Sequence, residues 1–525
     1  MNFNEHINKY LWLIPAVTMF FIALIPTLTY QWPLSWDVIM HIEYAKVYAH
    51  YGFVLTDPLL NAPYGQKIGY PPLFQFLIAG LGTLLNTDFF QIARFLQPVL
   101  AMSIVLSVSF VAKEFYGRIA GISAGFLMIS SYLIARIVLP IPENLALIFL
   151  PIAVYLYYRS IKEGVLKYAL IAGIIFILTI LTHLAAPLCL FLIITAFTIL
   201  ELILNRNKGV FKNYGAFLIS LIILAVIGLI GLFLFKPDMF HSLIQQGLTA
   251  VTGYSTSLGY NKAISALSYI GNIGPLVLIF AVIGCIFAFG KMQKKHFFIF
   301  VWILVMFLLS NAYWFGINVI SYRVLIYLLI PLAILGGFGL SQLYYWFKQH
   351  NTFSSRSFRS AFLIGIFALS AVSGVLTVEN PKIAKFGTIT KYGYVQTAPP
   401  SDSEVDMANW FDKNGNKTRS VVISNLYTGT FLAAESGMPI TQNFKYFNKT
   451  TPLSVFEKEK IGYIVYDKRL TSPFENDNSY TQTNSEMYSL LYFDKDLKTN
   501  INEIIPSNVE VVYENKDFII CRIKY

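Results

Sequence analysis

Eleven apolar runs, each long enough to cross a hydrocarbon core of about 30 Å, decide what this 525-residue chain can fold into. They lie near 11–31, 89–112, 119–136, 142–158, 168–185, 186–204, 213–235, 264–290, 297–314, 321–346 and 360–378. Backbone groups inside a bilayer must be satisfied within their own segment, so such runs fold as helices. Only 13% of the residues are charged and 56% are hydrophobic, against roughly 25% charged for a soluble domain. The expected class is a polytopic α-helical membrane protein. A further run at 72–85, PLFQFLIAGLGTLL, is too short to span and reads as interfacial or re-entrant.

The net charge of +11 does not indicate nucleic acid, because the cations sit in short loops between the spans, as the positive-inside rule requires. With 72–85 not crossing, one side collects Lys113, Arg118, Arg159, Lys162, Lys167, Arg206, Lys208, Lys212, Lys291, Lys294, Lys295, Lys348, Arg356 and Arg359. That side is expected to be cytoplasmic, together with the N-terminus. The first span has little positive charge before it and no small-residue cleavage site, so it reads as a retained helix. The external side then receives the loop 32–88, the segment Arg136 to Glu143, the loop 236–263, the turn 314–321 and everything from about Glu379. The expected place is the cell membrane, with the working face outside. Cys189, Cys285 and Cys521 offer neither metal spacing nor a disulfide framework.

The expected organisation is a transmembrane domain over 1–378, with its external loop 32–88, and a small external mixed α/β domain over 379–525. In the tail, Asp, Asn, Lys and Ser rise and apolar runs shrink to strand length, as in SVVIS at 420–424 and YIVY at 463–466. The last stretch, VEVVYENKDFIICRIKY, reads as a hairpin turning at Glu514-Asn515-Lys516-Asp517. Two acceptor sequons, at Asn416 and Asn448, fall in the same tail.

Titratable residues at span ends are costly and mark function. The stretch Ser35–Leu73 is the long polar run of the N-terminal third. Helical spacing there aligns Asp37, His41, Tyr44 and Tyr48 on one face, so a carboxylate and an imidazole point the same way one turn apart. Asp37 would also favour the helix dipole from its first turn, and His41 reads equally as a surface residue. Arg94, Arg136, Glu143, His183 and Arg323 all fall at the external ends of spans. In RIVLPIPE, Pro140 and Pro142 stop one helix and start the next, placing Glu143 in a first turn. Each arginine taken singly could snorkel to lipid phosphate; their joint placement around one external cavity is less easily dismissed.

The order of these features resembles the GT-C class of membrane glycosyltransferases, which take a sugar from a polyprenyl-phosphate or polyprenyl-diphosphate carrier on the external face. The matching pieces are Trp36-Asp37 after the first span, Tyr70-Pro71-Pro72-Leu73, Arg94, the cytoplasmic turn Lys113–Arg118, and Pro142-Glu143-Asn144. Asp406-Met407-Ala408-Asn409-Trp410-Phe411 followed by Ser420–Ser424 resembles the start of the external domain of archaeal oligosaccharyltransferase catalytic subunits. Where those carry Trp-Trp-Asp-Tyr-Gly, this chain has Asn425-Leu426-Tyr427-Thr428-Gly429. Its loop 236–263 holds Asp238 but no glutamate.

The resemblance implies an inverting transferase using a lipid-phosphate sugar and a glycan, lipid or protein acceptor. Asp37 would be the base or acceptor-orienting carboxylate, Glu143 a second carboxylate, and His41 a group tuning Asp37 or holding phosphate. Arg323 would hold the carrier phosphate, with Arg94 and Arg136 assisting, Lys67 and Tyr70 closing over it, and His183 a further candidate. A divalent cation, magnesium or manganese, could bind at Asp37, Glu143 and His41, leaning on water and substrate oxygens. The altered 425–429 segment implies transfer that is not directed to sequons; protein N-glycosylation is the alternative. Two other classes compete. A transporter would place ionisable groups at the midplane of related halves, which the sequence does not show. A non-catalytic subunit would keep the fold while losing acidic residues.

Overall fold

The computed structural model describes residues 10–238, 240–241, 263–317, 319–349, 355–379, 389–390, 393–394, 399–423, 426–441, 451–470, 482–485, 488–491 and 505–525. Two compact units emerge. The first comprises Met1–Thr29, Tyr70–Leu73 and Leu96–Asn380; the second comprises Tyr30–Gly69, Phe74–Phe95 and Pro381–Tyr525. Most of the loop that the sequence groups with the membrane part therefore packs in one unit with the C-terminal segment.

Among the described residues, seven helices are long and apolar enough to cross a membrane: Leu11–Thr29, Phe89–Tyr116, Pro142–Glu163, Ala185–Leu204, Val210–Phe235, Ser321–Gln349 and Arg356–Val378. The other four expected spans take different forms. Three are helices of 13, 15 and 17 residues, Arg118–Ser130, Leu166–Ile180 and Lys294–Ser310. The fourth is a pair, Ala266–Ile273 and Pro275–Gly290, bent by 105°. Gly274 makes the bend at φ +94°, where a side chain would be strained. The run at 72–85 forms the 13-residue helix Leu73–Leu85.

In the first unit Ser321–Gln349 is the central helix, buried from Val324 to Ser341 apart from Leu332. Small residues let its neighbours approach: a Cβ on Gly339 would lie 2.7 Å from Gly284 N, so the Pro275–Gly290 helix packs backbone to backbone against it. Two of the basic turns meet, Lys113–Arg118 and the turn before Lys295. Lys295 Nζ donates to Phe115 O at 3.1 Å, and the Tyr116 hydroxyl bonds His296 Nδ1 at 3.1 Å. Glu114 accepts from Tyr155 at 3.2 Å. These loops thus share one end of the bundle.

The second unit is built on a five-stranded sheet in the order Val509–Glu514, Phe518–Ile523, Ile461–Asp467, Ser420–Ile423, Ile440–Thr441. The first two strands form the expected antiparallel hairpin, and Ser420–Ile423 runs parallel to both of its neighbours. Ser401 and Glu404 close a capping box at the start of helix Asp402–Asn414, whose Phe411 packs edge-on to Tyr463 at 5.2 Å. The segment 59–62 extends the sheet edge: Ile440 N donates to Leu59 O at 2.7 Å and Ala62 N to Ile440 O at 2.8 Å. Trp32, Trp36 and Phe90 then pack around Tyr427 and Phe431. Asn416 is exposed, as a modification site requires; Asn448 and most of the loop 236–263 lie outside the described residues.

Candidate functional site

The first unit draws five of the expected residues into one cluster. After the short helix Ile134–Ile137 the chain turns through Val138 and Leu139 to an extended Ile141, and Pro142 opens the next helix at its first turn. Asn144, which sequence reading gave no role, fixes this corner. Its fully buried amide donates to the carbonyls of Arg136, Ile137 and Leu139 at 2.8, 3.0 and 2.6 Å. That bend brings Arg136 back over the new helix, where Nε and Nη2 both reach Glu143 Oε2, at 2.6 and 2.5 Å. Glu143 is 1% exposed. Its other oxygen, Oε1, is buried, and the carboxylate also acts on the Tyr327 hydroxyl.

His183 lies in the turn between helices Leu166–Ile180 and Ala185–Asn205. Its Nδ1 accepts from the Ala185 and Ala186 amides at 3.3 and 3.4 Å, so the ring caps the following helix. A nitrogen that accepts cannot carry the proton, so the neutral ring presents Nε2–H as its donor. The fully buried Tyr327 hydroxyl stands 3.3 Å from the same Nδ1. One helical turn before it, half-buried Arg323 acts electrostatically on both Glu143 and His183. Tyr70 packs its ring 6.2 Å from that of His183, and Leu73 N donates to Leu181 O at 2.8 Å, which ties the Tyr-Pro-Pro-Leu turn to the histidine loop. Two guanidiniums and an imidazole surround one carboxylate, with the Tyr327 hydroxyl and the Tyr70 ring beside the imidazole. Such a set suits an anion with several oxygens.

The other nominated residues belong to the second unit. Helix Trp36–Tyr51 forms as its spacing implies, with Ser35 Oγ accepting from Asp37 N at 3.2 Å and Asp37 half-buried in the first turn. His41 is not at the surface. It is 4% exposed, accepts from Gln75 Nε2 at 3.0 Å and meets Phe74 edge-on, so its Nδ1 is occupied. Lys67 is exposed on the short strand Gln66–Lys67, paired with Thr56. Arg94 donates to Gln91 at 2.9 Å on its own helix and stacks its guanidinium on Phe95.

Sequence reading missed two buried acids here. Glu43 is 1% and Asp57 0% exposed. Burial first, and then the Asp57 charge, push the Glu43 carboxyl up to about 8, with Lys46 opposing. Burial raises Asp57 to about 6 against the pull of the Leu59 and Leu60 amides. Among the described residues no three His, Cys, Asp or Glu side chains gather as a metal would require. Glu143 is committed to Arg136 and His41 to Gln75.

No family model and no curated protein sequence matches the chain. Solved structures do share its fold. The oligosaccharyltransferase of Archaeoglobus fulgidus superposes with a TM-score of 0.62 at 15% identity, over 88% of this chain and 70% of that one. The oligosaccharyltransferase AglB from Archaeoglobus fulgidus, with an inhibitory peptide and a dolichol-phosphate, gives 0.61 at 15%, over 90% and 70%. ArnT from Cupriavidus metallidurans, bound to undecaprenyl phosphate, gives 0.60 at 10%, over 97% of both chains. The arabinofuranosyltransferase AftD from Mycobacteria gives 0.59 at 14%, over 98% of this chain and 40% of that one. The chain therefore has the fold of the GT-C glycosyltransferases.

Proposed function

We propose that this protein is a membrane glycosyltransferase that takes a sugar from a polyprenyl-phosphate carrier and transfers it to a non-sequon acceptor with inversion. The observation that carries this reading is the Arg136–Glu143–His183–Tyr327–Arg323 cluster in a fold shared with proteins bound to dolichol-phosphate and undecaprenyl phosphate. In the reaction an acceptor hydroxyl attacks the anomeric carbon, the carbon–oxygen bond to phosphate breaks, and the carrier leaves with the bonding pair. Arg323 and His183 Nε2–H would take up the charge growing on the phosphate oxygens. The pairing of Arg136 with Glu143 makes that carboxylate a partner of the phosphate site first.

Asp37 would take the acceptor proton, a role that rests on its place after the first span. A divalent cation beside Asp37 would need water and substrate oxygens to fill its shell. The end of the bundle that holds the Lys and Arg turns would face the cytoplasm.

The acceptor reading is supported by what stands in place of the sequon motif. Tyr427 is 2% exposed against Trp36, and buried Thr428 donates to Glu404 at 2.7 Å. Arg469 ties Glu404 to Asp467 at 2.9 and 2.8 Å. Side chains so committed to packing are poor partners for a sequon hydroxyl. Purified protein with lipid-linked sugar from a membrane extract should glycosylate a glycan or lipid acceptor and leave a sequon peptide unmodified. Glycopeptide that vanishes when the sequon Thr becomes Ala would return the protein to oligosaccharide transfer.

A further inference from the structure

At the end of the first unit that carries the basic turns, a cavity of about 510 Å³ opens between helix Ala185–Asn205 and the turn before helix Lys294–Ser310. Its walls are Glu201, Leu204, Asn207, Met292, Gln293, Lys294 and Phe297. His183 precedes the first turn of the same Ala185–Asn205 helix and Glu201 lies in its last, so at about 1.5 Å rise per residue the cavity is more than 20 Å along the helix from the histidine cluster. It is a separate place on the molecule.

The chemistry of the walls is unusual for a bilayer boundary. Glu201 is only 1% exposed and forms an ion pair with Lys294, with Asn207 Nδ2 at 3.4 Å. A lysine at such a boundary would ordinarily extend its chain to water. Here the buried carboxylate holds it at the cavity wall, with about a third of its side chain still open. Lys294 is also the first residue of a 17-residue helix, and Gln293 provides no side-chain cap there. Exposed Arg206, Lys208 and Lys291 stand in the adjoining turns. The Glu201–Lys294 pair leaves the walls themselves neutral, and the three exposed cations of the adjoining turns supply the positive excess that selects a negative ligand.

The apolar walls specify what that charge is attached to. Leu204 and Met292 line the cavity and are 61% and 51% exposed, and Ile203 and Phe289 beside them are 63% and 65% exposed. This outward apolar surface is the kind that acyl chains cover. The cavity volume lies within the about 300–1,000 Å³ typical of small-molecule sites.

We infer that this cavity is a binding site for the phosphate headgroup of an anionic membrane lipid, with Lys294 as its phosphate contact, Asn207 and Gln293 meeting the headgroup's hydroxyls, and Glu201 positioning Lys294. The acyl chains run over Leu204, Met292 and Phe289. The site is independent of the transfer reaction.

The test uses full-length protein in phosphatidylcholine nanodiscs doped with a photoactivatable phosphatidylglycerol, followed by mass mapping of the labelled peptides. Label should concentrate on the peptides around Leu204–Lys208 and Met292–Phe297. Because Lys294→Gln alone strands a buried carboxylate, the informative variant is Glu201→Gln with Lys294→Gln, which keeps the cavity neutral. It should lose about tenfold of that label, the scale of one charge-assisted contact, while its melting temperature stays near wild type. Lys294→Arg should retain it. Equal labelling of wild type and double variant overturns the proposal, as does equal labelling by a photoactivatable phosphatidylcholine. Soluble glycerol phosphate that displaces the label at matched concentration assigns the cavity to a free phosphate and overturns the lipid assignment.

Discussion

Replacing Arg136 by Gln should damage the first unit more than replacing its partner Glu143 by Gln, although both changes break the same ion pair. Glu143 has 2% of its side chain exposed, whereas Arg136 has 26%. Removing one member of a buried pair costs about 3–5 kcal/mol because the other is left as an uncompensated charge. Arg136→Gln leaves a carboxylate with almost no water, so its cost should fall in that range, eased somewhat by the nearby Arg323. Glu143→Gln leaves a guanidinium that still reaches solvent, and the new amide oxygen still accepts from it; its cost should be nearer about 1–2 kcal/mol. The double variant strands no charge and should recover about 1–3 kcal/mol relative to Arg136→Gln, a coupling of ordinary size for contacting residues. Unfolding of the detergent-solubilised variants, followed by tryptophan fluorescence, reads all three. A Glu143→Gln protein less stable than Arg136→Gln, or a double variant no better than the worse single one, would refute the reasoning.

Further outcomes follow from the same geometry. Tyr327→Phe removes the hydroxyl beside His183 Nδ1 but keeps the ring, so stability should change by only about 1 kcal/mol while transfer falls several-fold, visible in the ratio of kcat to KM for the lipid donor. Glu43 holds its proton far above the usual carboxyl range, so the folded state binds more protons than the unfolded one. Stability of the second unit should therefore decline as pH rises from about 4.5 toward about 8, and Glu43→Gln should flatten that slope in thermal unfolding across the window. Cysteines placed at Lys67 and in the segment after Glu379 should both react with an impermeant thiol reagent in intact cells; reaction at only one would overturn the sidedness.

The sequence made the membrane class legible because the length of an apolar run is a one-dimensional property. It also exposed the Pro142-Glu143 corner and the C-terminal hairpin, whose signals are local: a proline that starts a helix, and a polar turn between two β-rich runs. The span lengths were harder to read. The run 119–136 stays apolar past Ser130, although Ser131 turns out of the helix and a new short helix begins at Ile134. Hydropathy registers burial, and protein and lipid bury a residue equally well. The same uniformity hid Tyr327: in a helix apolar on every side, no periodicity marks the face turned to His183. The one signal was its spacing four residues after Arg323. Glu43 and Asp57 stayed invisible for a different reason. They lie apart in sequence, one on a helix and one on a strand, and their burial depends on how the segment 30–69 packs within its own unit. His41 looked like a surface residue because Gln75, its partner, is thirty-four positions away.

The most direct measurement is turnover by purified protein reconstituted with lipid-linked sugar and extract-derived acceptor, comparing wild type with Arg323→Gln and Asp37→Asn. If the cluster holds the carrier phosphate and Asp37 takes the acceptor proton, both variants should insert and melt like wild type. Asp37→Asn should lose about 10²-fold or more in kcat, the usual scale of general-base catalysis, and Arg323→Gln should lose kcat/KM for the lipid donor. Wild-type turnover by both variants, or no transfer by the wild type from any polyprenyl-phosphate sugar, would contradict the account.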